Sequence, residues 1–367
     1  MFLAIKREGF QKINLQSKII LLQCRGLGDA VISTAVVNSI GHCFPGTKID
    51  ILGSTQAKAI FQGNPYVGRY YEAQFPIAAG LKFSIYDAQR LLCVLRNIRL
   101  EHYGLCVNLV GDFRENVIGW LTGSPVHLAP IWKRNHPFRQ LIRVGLLQLP
   151  NAPLAIGSTT YSIYDAFREV TNALGCNVHV GPKIFVDANI LVEAAREQAG
   201  AVIGIHPFAR QECKLWEGEK WKQLIVCLLA EGHRVKVFGA PTDQDTANEW
   251  FGSLLTNGGI SCIFGELSSF FAKLATVDIL IGLDSFSIHA AHALNVPSIV
   301  LNGSNDFRVW ASPTTSVVLA NHGCPYCPCF NRPKCLRLKT IFECMRSIQV
   351  ETVLNRAGEI LKARGCV

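Results

Sequence analysis

Three turns in this sequence gather residue types that bind phosphate and move protons. The first is Cys24-Arg-Gly-Leu-Gly-Asp-Ala30, which follows an apolar run and opens a helical pattern. Gly26 and Gly28 would let the backbone turn tightly and approach a ligand. Asp29 then falls near a helix N-terminus, aimed into a ligand crevice as a carboxylate that can take a proton. A plain N-cap role for Asp29 is the structural alternative. A dinucleotide fingerprint is disfavoured, because it needs a third glycine where Val31 stands and its turn should not be acidic.

The second turn is Gly204-Ile-His-Pro-Phe-Ala-Arg-Gln-Glu-Cys-Lys-Leu-Trp216. His206, Arg210 and Lys214 offer polar and cationic groups that can hold a diphosphate leaving group, unless they are merely solvated loop charges. The third, Gly282-Leu-Asp-Ser-Phe-Ser-Ile-His289, again leads a strand into a helix. Ser285 and Ser287 can cap that helix, whose first N–H groups and dipole suit an anion. His289 falls on the first turn beside the same anion; a satisfied core histidine is the alternative. A fourth, acidic turn, Asn108-Leu-Val-Gly-Asp-Phe-Arg114, offers Asp112 as an acceptor ligand or alternative base. Arg114 would pair with it or with an acceptor phosphate.

Positioning these turns requires strands that end together. The chain has 367 residues, enough for two domains. Short apolar strand runs alternate with helical patterns, the mark of parallel α/β architecture. The pattern predicts strands at 18–24, 48–52 and 104–109, with helices at 29–43, near 55–62 and at 113–121. Beyond the middle it predicts strands at 201–206, 234–238, 261–264, 279–283 and 297–301. Helices are predicted there at 221–231, 243–255, 267–276, 285–294 and, at the end, 350–364. A polar stretch around 175–187 separates the halves, so the domains are expected at 1–182 and 183–367. Two doubly wound domains hold ligands at the carboxyl ends of their strands and would face one cleft.

Composition narrows the classes. Apolar residues make up 49% and charged residues 17%, ordinary for a protein with large buried sheets. No apolar run approaches the ~18 residues of a membrane span, and no secretory signal is recognisable, so a cytoplasmic location is expected. The formal charge of +9 suits a phosphorylated substrate or an anionic surface. Lys133, Arg134, Arg139 and Arg143, interleaved with Trp132 and Phe138, form the one basic concentration where a membrane surface or phosphorylated glycolipid could dock. It is too weak for a nucleic-acid module. Fourteen cysteines without an export signal argue against a disulfide framework. Five of them fall between Cys324 and Cys344, and Cys324, Cys327, Cys335 and Cys344 could hold a structural zinc or iron. Reduced, packed thiols are the alternative.

Taken in order, the turns resemble glycosyltransferase family 9, the ADP-heptose heptosyltransferases of lipopolysaccharide assembly. Arg25-Gly-Leu-Gly-Asp29 is similar to that family's opening turn. The span from His206 to Trp216 resembles its donor loop, and Phe238-Gly-Ala-Pro-Thr-Asp243 a Gly-Gly-Pro-x-Glu turn. Asp284-Ser-Phe-Ser-Ile-His289 resembles the family's Asp-Thr-Gly-x-x-His signature. The resemblance implies a GT-B fold with two Rossmann-like domains, the first binding acceptor and the second the nucleotide sugar. It implies an inverting transfer, with Asp29 as the general base and no cofactor required. Lys214 and the helix at Ser285 would neutralise the diphosphate, Asp284 and His289 would place the donor, and Asp243 would approach the ribose. It also implies ADP-heptose as donor, a lipopolysaccharide or related envelope glycan as acceptor, and peripheral contact with the inner membrane. Three departures bear on the identity of sugar or nucleotide: Ser285 for Thr, Phe286 for Gly and Asp243 for Glu. The competing expectations are an adhesin heptosyltransferase with a Cys-bound metal, a basic metal-containing binding module and a catalytically silent GT-B scaffold.

Overall fold

The computed structural model describes residues 18–76, 83–132, 151–156, 162–186, 200–255, 258–320, 324, 326–329, 333, 335 and 342–366. The chain divides into two compact units, Met1–Lys183 and Ile184–Val367.

The first unit is built on strands β1 (Ile19–Gln23), β2 (Ile49–Gly53), β3 (Val67–Glu72), β4 (Leu105–Asn108), β5 (Val126–Trp132) and β6 (Ala152–Ile156). They form one parallel sheet in the order β3-β2-β1-β4-β5-β6. Helices of eight residues or more are α1 (Leu27–Cys43), α2 (Ile85–Leu100), α3 (Phe113–Leu121) and α4 (Ile163–Ala173). Right-handed crossovers put α1 on one face of the sheet and α2 and α3 on the other. In agreement, α1 packs on α4 and α2 lies beside α3. The central strand β1 is buried along its whole length, which is why Ile-Ile-Leu-Leu can follow one another without alternation.

The second unit repeats the plan with β7 (Val202–His206), β8 (Arg234–Gly239), β9 (Ile260–Phe264), β10 (Ile279–Leu283), β11 (Ser298–Asn302) and β12 (Thr315–Leu319). Its parallel order is β12-β11-β10-β7-β8-β9, the same plan as in the first unit. Its helices of eight residues or more are α5 (Gly218–Ala230), α6 (Gln244–Phe251), α7 (Leu267–Leu274), α8 (Phe286–Ala293) and α9 (Val350–Ala363), with α9 packed on α5.

In each sheet the strand order reverses once, between β1 and β4 and between β7 and β10. Such a switch point leaves a crevice at the strands' carboxyl ends, because the two flanking helices depart to opposite faces. All four chemistry-bearing turns follow one of these four strands.

The predicted helix near 55–62 is instead a 3₁₀ turn, Thr55–Ala57, running into a single helical turn, Lys58–Phe61. Ser54 caps it, its hydroxyl accepting from the Ala57 amide at 3.3 Å. Strands β3, β5, β6 and β12 and helices α2 and α4 add to the elements predicted. Among the described residues no helix is long and apolar enough to cross a membrane. The basic stretch with Lys133, Arg134, Arg139 and Arg143 lies outside the described residues.

Candidate active site

At the switch point of the first unit, Asp29 sits in the first turn of α1, whose N-cap is Gly26. The N-cap alternative for Asp29 therefore does not apply; its carboxylate instead takes a hydrogen bond from its own amide. Burial pushes the Asp29 carboxyl above the usual carboxylate range, and the nearby Arg25 charge only partly offsets this. The glycine reading needs one change. Gly26 has φ −68°, which any residue adopts, and a Cβ added there would meet nothing within 4 Å. What Gly26 leaves is an uncovered backbone, not a forced turn.

Arg25 organises the rest of this end. Its Nε donates to Glu115 Oε1 at 2.6 Å, and one terminal nitrogen lies 3.5 Å from Asp112 Oδ2. Asp112 is the N-cap of α3: its Oδ1 accepts from the Arg114 amide and from Arg114 Nε, both at 3.0 Å. Burial alone would push Asp112 upward, but the Arg114 bonds and the Arg25 charge outweigh it and hold the carboxyl low. The turn that delivers Asp112 is rigid. Asn108 Oδ1 accepts from the amides of Val110 and Gly111, and Gly111 has φ +72°. A Cβ there would stand 2.0 Å from the Pro130 carbonyl oxygen, so only glycine fits.

At the switch point of the second unit, Lys214 and Asp284 meet across β7 and β10. Lys214 Nζ donates to the Asp284 carbonyl at 2.8 Å and to its Oδ2 at 3.0 Å. Asn305, from the turn after β11, donates to the same Oδ2. Lys214 is fixed from behind by Trp216, which is 1% exposed and donates its indole N–H to the Ile348 carbonyl at 3.1 Å. Trp216 also packs edge-on against Trp221 at 4.9 Å. Two buried indoles of this kind contribute roughly 2–3 kcal/mol each. The Lys-x-Trp spacing thus ties a cation to a structural anchor.

Ser285 is the N-cap of α8 but makes no side-chain cap bond; its hydroxyl faces Ser287 Oγ at 2.8 Å. The first N–H groups of α8 are therefore not taken by a capping side chain, the condition for receiving an anion. His289 is buried one turn into α8. Desolvation pushes it down to about 4 against the pull of Asp284, so near neutral pH the imidazole is uncharged.

The structure does not bring the other sequence candidates to this point. His206 is buried in an aromatic cluster, edge-on to Phe208, Phe270 and Phe286 at 5.8–6.4 Å, and burial pushes it down to about 4. Arg210 is exposed on the loop after β7. Asp243 closes the turn after β8, its carboxylate accepting from the Ala240 amide at 2.8 Å. Phe286 packs on Phe270 at 5.1 Å and on His206, so much of its bulk goes toward the core.

The sequence matches the pattern of glycosyltransferase family 9 (heptosyltransferase) over residues 94–339, more than half of the chain. The chain belongs to glycosyltransferase family 9. Among curated relatives it is 26% identical over 310 residues to lipopolysaccharide heptosyltransferase 3 of Escherichia coli, covering 77% of this chain and 82% of that one. In fold it is similar to the family 9 glycosyltransferase of Veillonella parvula DSM 2008, with a TM-score of 0.75, 15% identity and coverage of 95% and 97%. It is likewise similar to the E. coli heptosyltransferase WaaC solved with ADP, with a TM-score of 0.70, 16% identity and coverage of 94% and 99%. The two parallel-sheet units are accordingly those of the GT-B fold.

In this family 9 glycosyltransferase the described residues give the metal expectation no support. Cys327 shares hydrogen bonds with Cys324 and Cys344, and burial pushes its thiol, like that of Cys344, upward. Metal ligation needs thiolates converging on one point. Among the described residues no three His, Cys, Asp or Glu side chains, Cys335 included, are grouped to hold an ion.

Three residues of the site escaped the sequence reading. Arg25 stood inside a recognised motif without a role, Glu115 looked like an ordinary helix charge, and Asn305 lay beyond the last motif. For Arg25 and Asn305 the usable signal was a polar side chain directly after a buried parallel strand. Glu115 carried none, since its burial depends on how α3 returns over the sheet.

Proposed function

We propose that this glycosyltransferase transfers a heptose from ADP-heptose, with inversion, to a hydroxyl of a lipopolysaccharide-core or related envelope glycan. The first unit takes the acceptor and the second the nucleotide sugar. The acceptor oxygen attacks the anomeric carbon while Asp29 removes its proton. The bond from that carbon to the diphosphate oxygen breaks, and ADP leaves with the bonding electrons. One displacement inverts the configuration.

The observation that carries this reading is the contrast between the two carboxylates at the first switch point. Asp29 is raised above its ordinary range, which strengthens it as a base, and has no side-chain donor tied to it among the bonds described. Asp112 is held low and committed to capping α3 and to Arg114. Carboxylates driven apart in this way take different roles: Asp29 is the base, while Asp112 and Arg114 hold the acceptor.

On the donor side, an ammonium has three N–H donors and Lys214 spends two on Asp284. The third, with the uncapped start of α8 at Ser285, stabilises charge developing on the leaving diphosphate. His289 contributes as a neutral hydrogen-bonding group, Asp284 orients Lys214, and Asp243 and Arg210 lie on the loops that border the nucleotide. The donor assignment is supported by the name of the curated relative and by the solved WaaC, which holds ADP. Each step uses only side chains and backbone of this protein.

The test is transfer from a panel of nucleoside diphosphate sugars to a core glycan acceptor, read by mass spectrometry and by the anomeric configuration of the product. ADP-heptose should give the fastest transfer, with inversion. Transfer confined to another sugar, or with retention, overturns the proposal.

A further inference from the structure

Helix α2 turns an unusual face outward. Its inward stripe, Leu91, Leu95 and Ile98, is buried as expected for a helix on a sheet. On the opposite side Ile85, Tyr86, Leu92 and Leu100 are 81%, 66%, 56% and 67% exposed. Ile85, Leu92 and Leu100 recur at seven- and eight-residue intervals, with Tyr86 beside Ile85, so they form one stripe along a helix of sixteen residues. Single exposed apolar residues are normal, but four in register on one helix mark a contact surface.

The charges that α2 itself brings to that face have one sign, while Glu72 beside Arg90 is paired with Lys58. Arg90, Arg96 and Arg99 are all exposed beside the apolar stripe, and the Arg90 guanidinium lies 5.9 Å from the Tyr86 ring. The only acid within α2, Asp87, is taken up by the capping box with Ser84. Glu101, just past the helix end, is paired with Lys18 at 2.7 Å and with Arg69. Neighbouring α3 continues the surface with exposed Arg114, Phe113 and Trp120. Phe113 directly follows Asp112, so this surface begins one residue from the site in the same unit.

We propose that the outward face of α2, extended by Phe113 and Trp120, docks the protein on the surface of an anionic phospholipid bilayer. Arginines beside Leu, Ile, Tyr and Trp suit the boundary between headgroups and acyl chains: the rings and aliphatic groups enter while the guanidinium groups meet lipid phosphates. A second copy is a poorer occupant, since a symmetric contact would bring three arginines against three arginines. The inference stands apart from the donor and acceptor assignments, because it rests on exposure and charge alone.

The experiment is co-sedimentation of the full chain with phosphatidylcholine vesicles, with and without half phosphatidylglycerol. Binding is expected only to the anionic vesicles, weakening at least tenfold between low and high salt. Arg90→Glu with Arg96→Glu, and separately Tyr86→Glu with Leu92→Glu, should each weaken it at least tenfold at unchanged melting temperature. Absent binding, equal binding to neutral vesicles, or variants that bind like the parent protein would overturn the proposal. So would a concentration-dependent dimer abolished by Leu92→Glu without vesicle binding. The salt series on the unmodified protein keeps the test decisive if a variant misfolds.

Discussion

Arg25, in the turn after β1, and Glu115, inside α3, are ninety positions apart in sequence and form a 2.6 Å ion pair. Through it the Asp29 turn and the Asp112 turn become one rigid end of the sheet. Glu115 is 2% exposed, and desolvation, opposed by Arg25, raises its carboxyl above the ordinary range. Glu115→Ala leaves the partly exposed Arg25 guanidinium with only Asp112 and Asp29 near it and should cost about 2 kcal/mol in urea unfolding. An unchanged midpoint would show that the pair does not organise the site.

Arg25 also acts on the proposed base. Its charge lowers Asp29 against the larger effect of burial, so Arg25→Met should move the Asp29 carboxyl further upward. Activity needs the ionised form, hence the acid limb of the kcat profile should shift to higher pH. A limb that stays put, or moves down, would separate Arg25 from the base.

Lys214→Met removes the cation proposed for the diphosphate and should lower kcat/KM by roughly 100-fold, the scale of one charge-stabilising donor. Breaking the Lys214–Asp284 pair should also cost about 2 kcal/mol of stability, so the rate is compared well below the variant's melting temperature. Loss of stability without loss of transfer rate would reverse the assignment.

Acid should weaken the fold in a defined window. His127, His206 and His289 are all pushed down to about 4 by burial. Their unfolded value is ~6.5, so folding favours the neutral rings. The stability this gives is complete above pH ~6.5 and is lost as pH falls toward 4, by up to about 1.4 kcal/mol per pH unit for each histidine. Asp29 and Glu115, whose carboxyls are raised, work the other way and gain as they protonate. Thermal melts from pH 7.5 to 4.5 should therefore fall from about pH 6.5, and less steeply in His127→Leu. A flat profile would contradict the burial of these rings.

Gly111→Ala should destabilise by about 3 kcal/mol or more, through the left-handed backbone and the collision with Pro130. A wild-type urea midpoint would mean that this turn is not built as described.

The buried strands were legible because they are apolar runs: β1, β7 and β10 need no alternation when both faces are covered. The elements that escaped are those where another demand blurs the pattern. Strand β3 lies at the sheet edge and is largely half-exposed, so Val-Gly-Arg-Tyr-Tyr-Glu shows no core run. Strand β5 contains Pro130, tolerated because its ladder with β4 ends at Leu128 and only β6 pairs beyond it. Helix α2 was hidden by its outward apolar residues, which fill in the polar half of the helical period. For the site, the turns were readable, but which side chains meet was not. Lys214 and Asp284 were both candidates, yet their contact depends on the adjacency of β7 and β10, a long-range fact that spacing does not encode. His206, called by motif, went to the aromatic core for the same reason.

The most direct test is Asp29→Asn, assayed for turnover and for ADP binding in parallel. Replacing the carboxylate with an amide keeps its size while removing the proton acceptor. Turnover should fall at least ~100-fold, the acid limb of the pH profile should vanish, and ADP affinity should stay within a few-fold of the parent. Turnover near that of the parent protein would mean the proton leaves by another route, and Asp29 would not be the base.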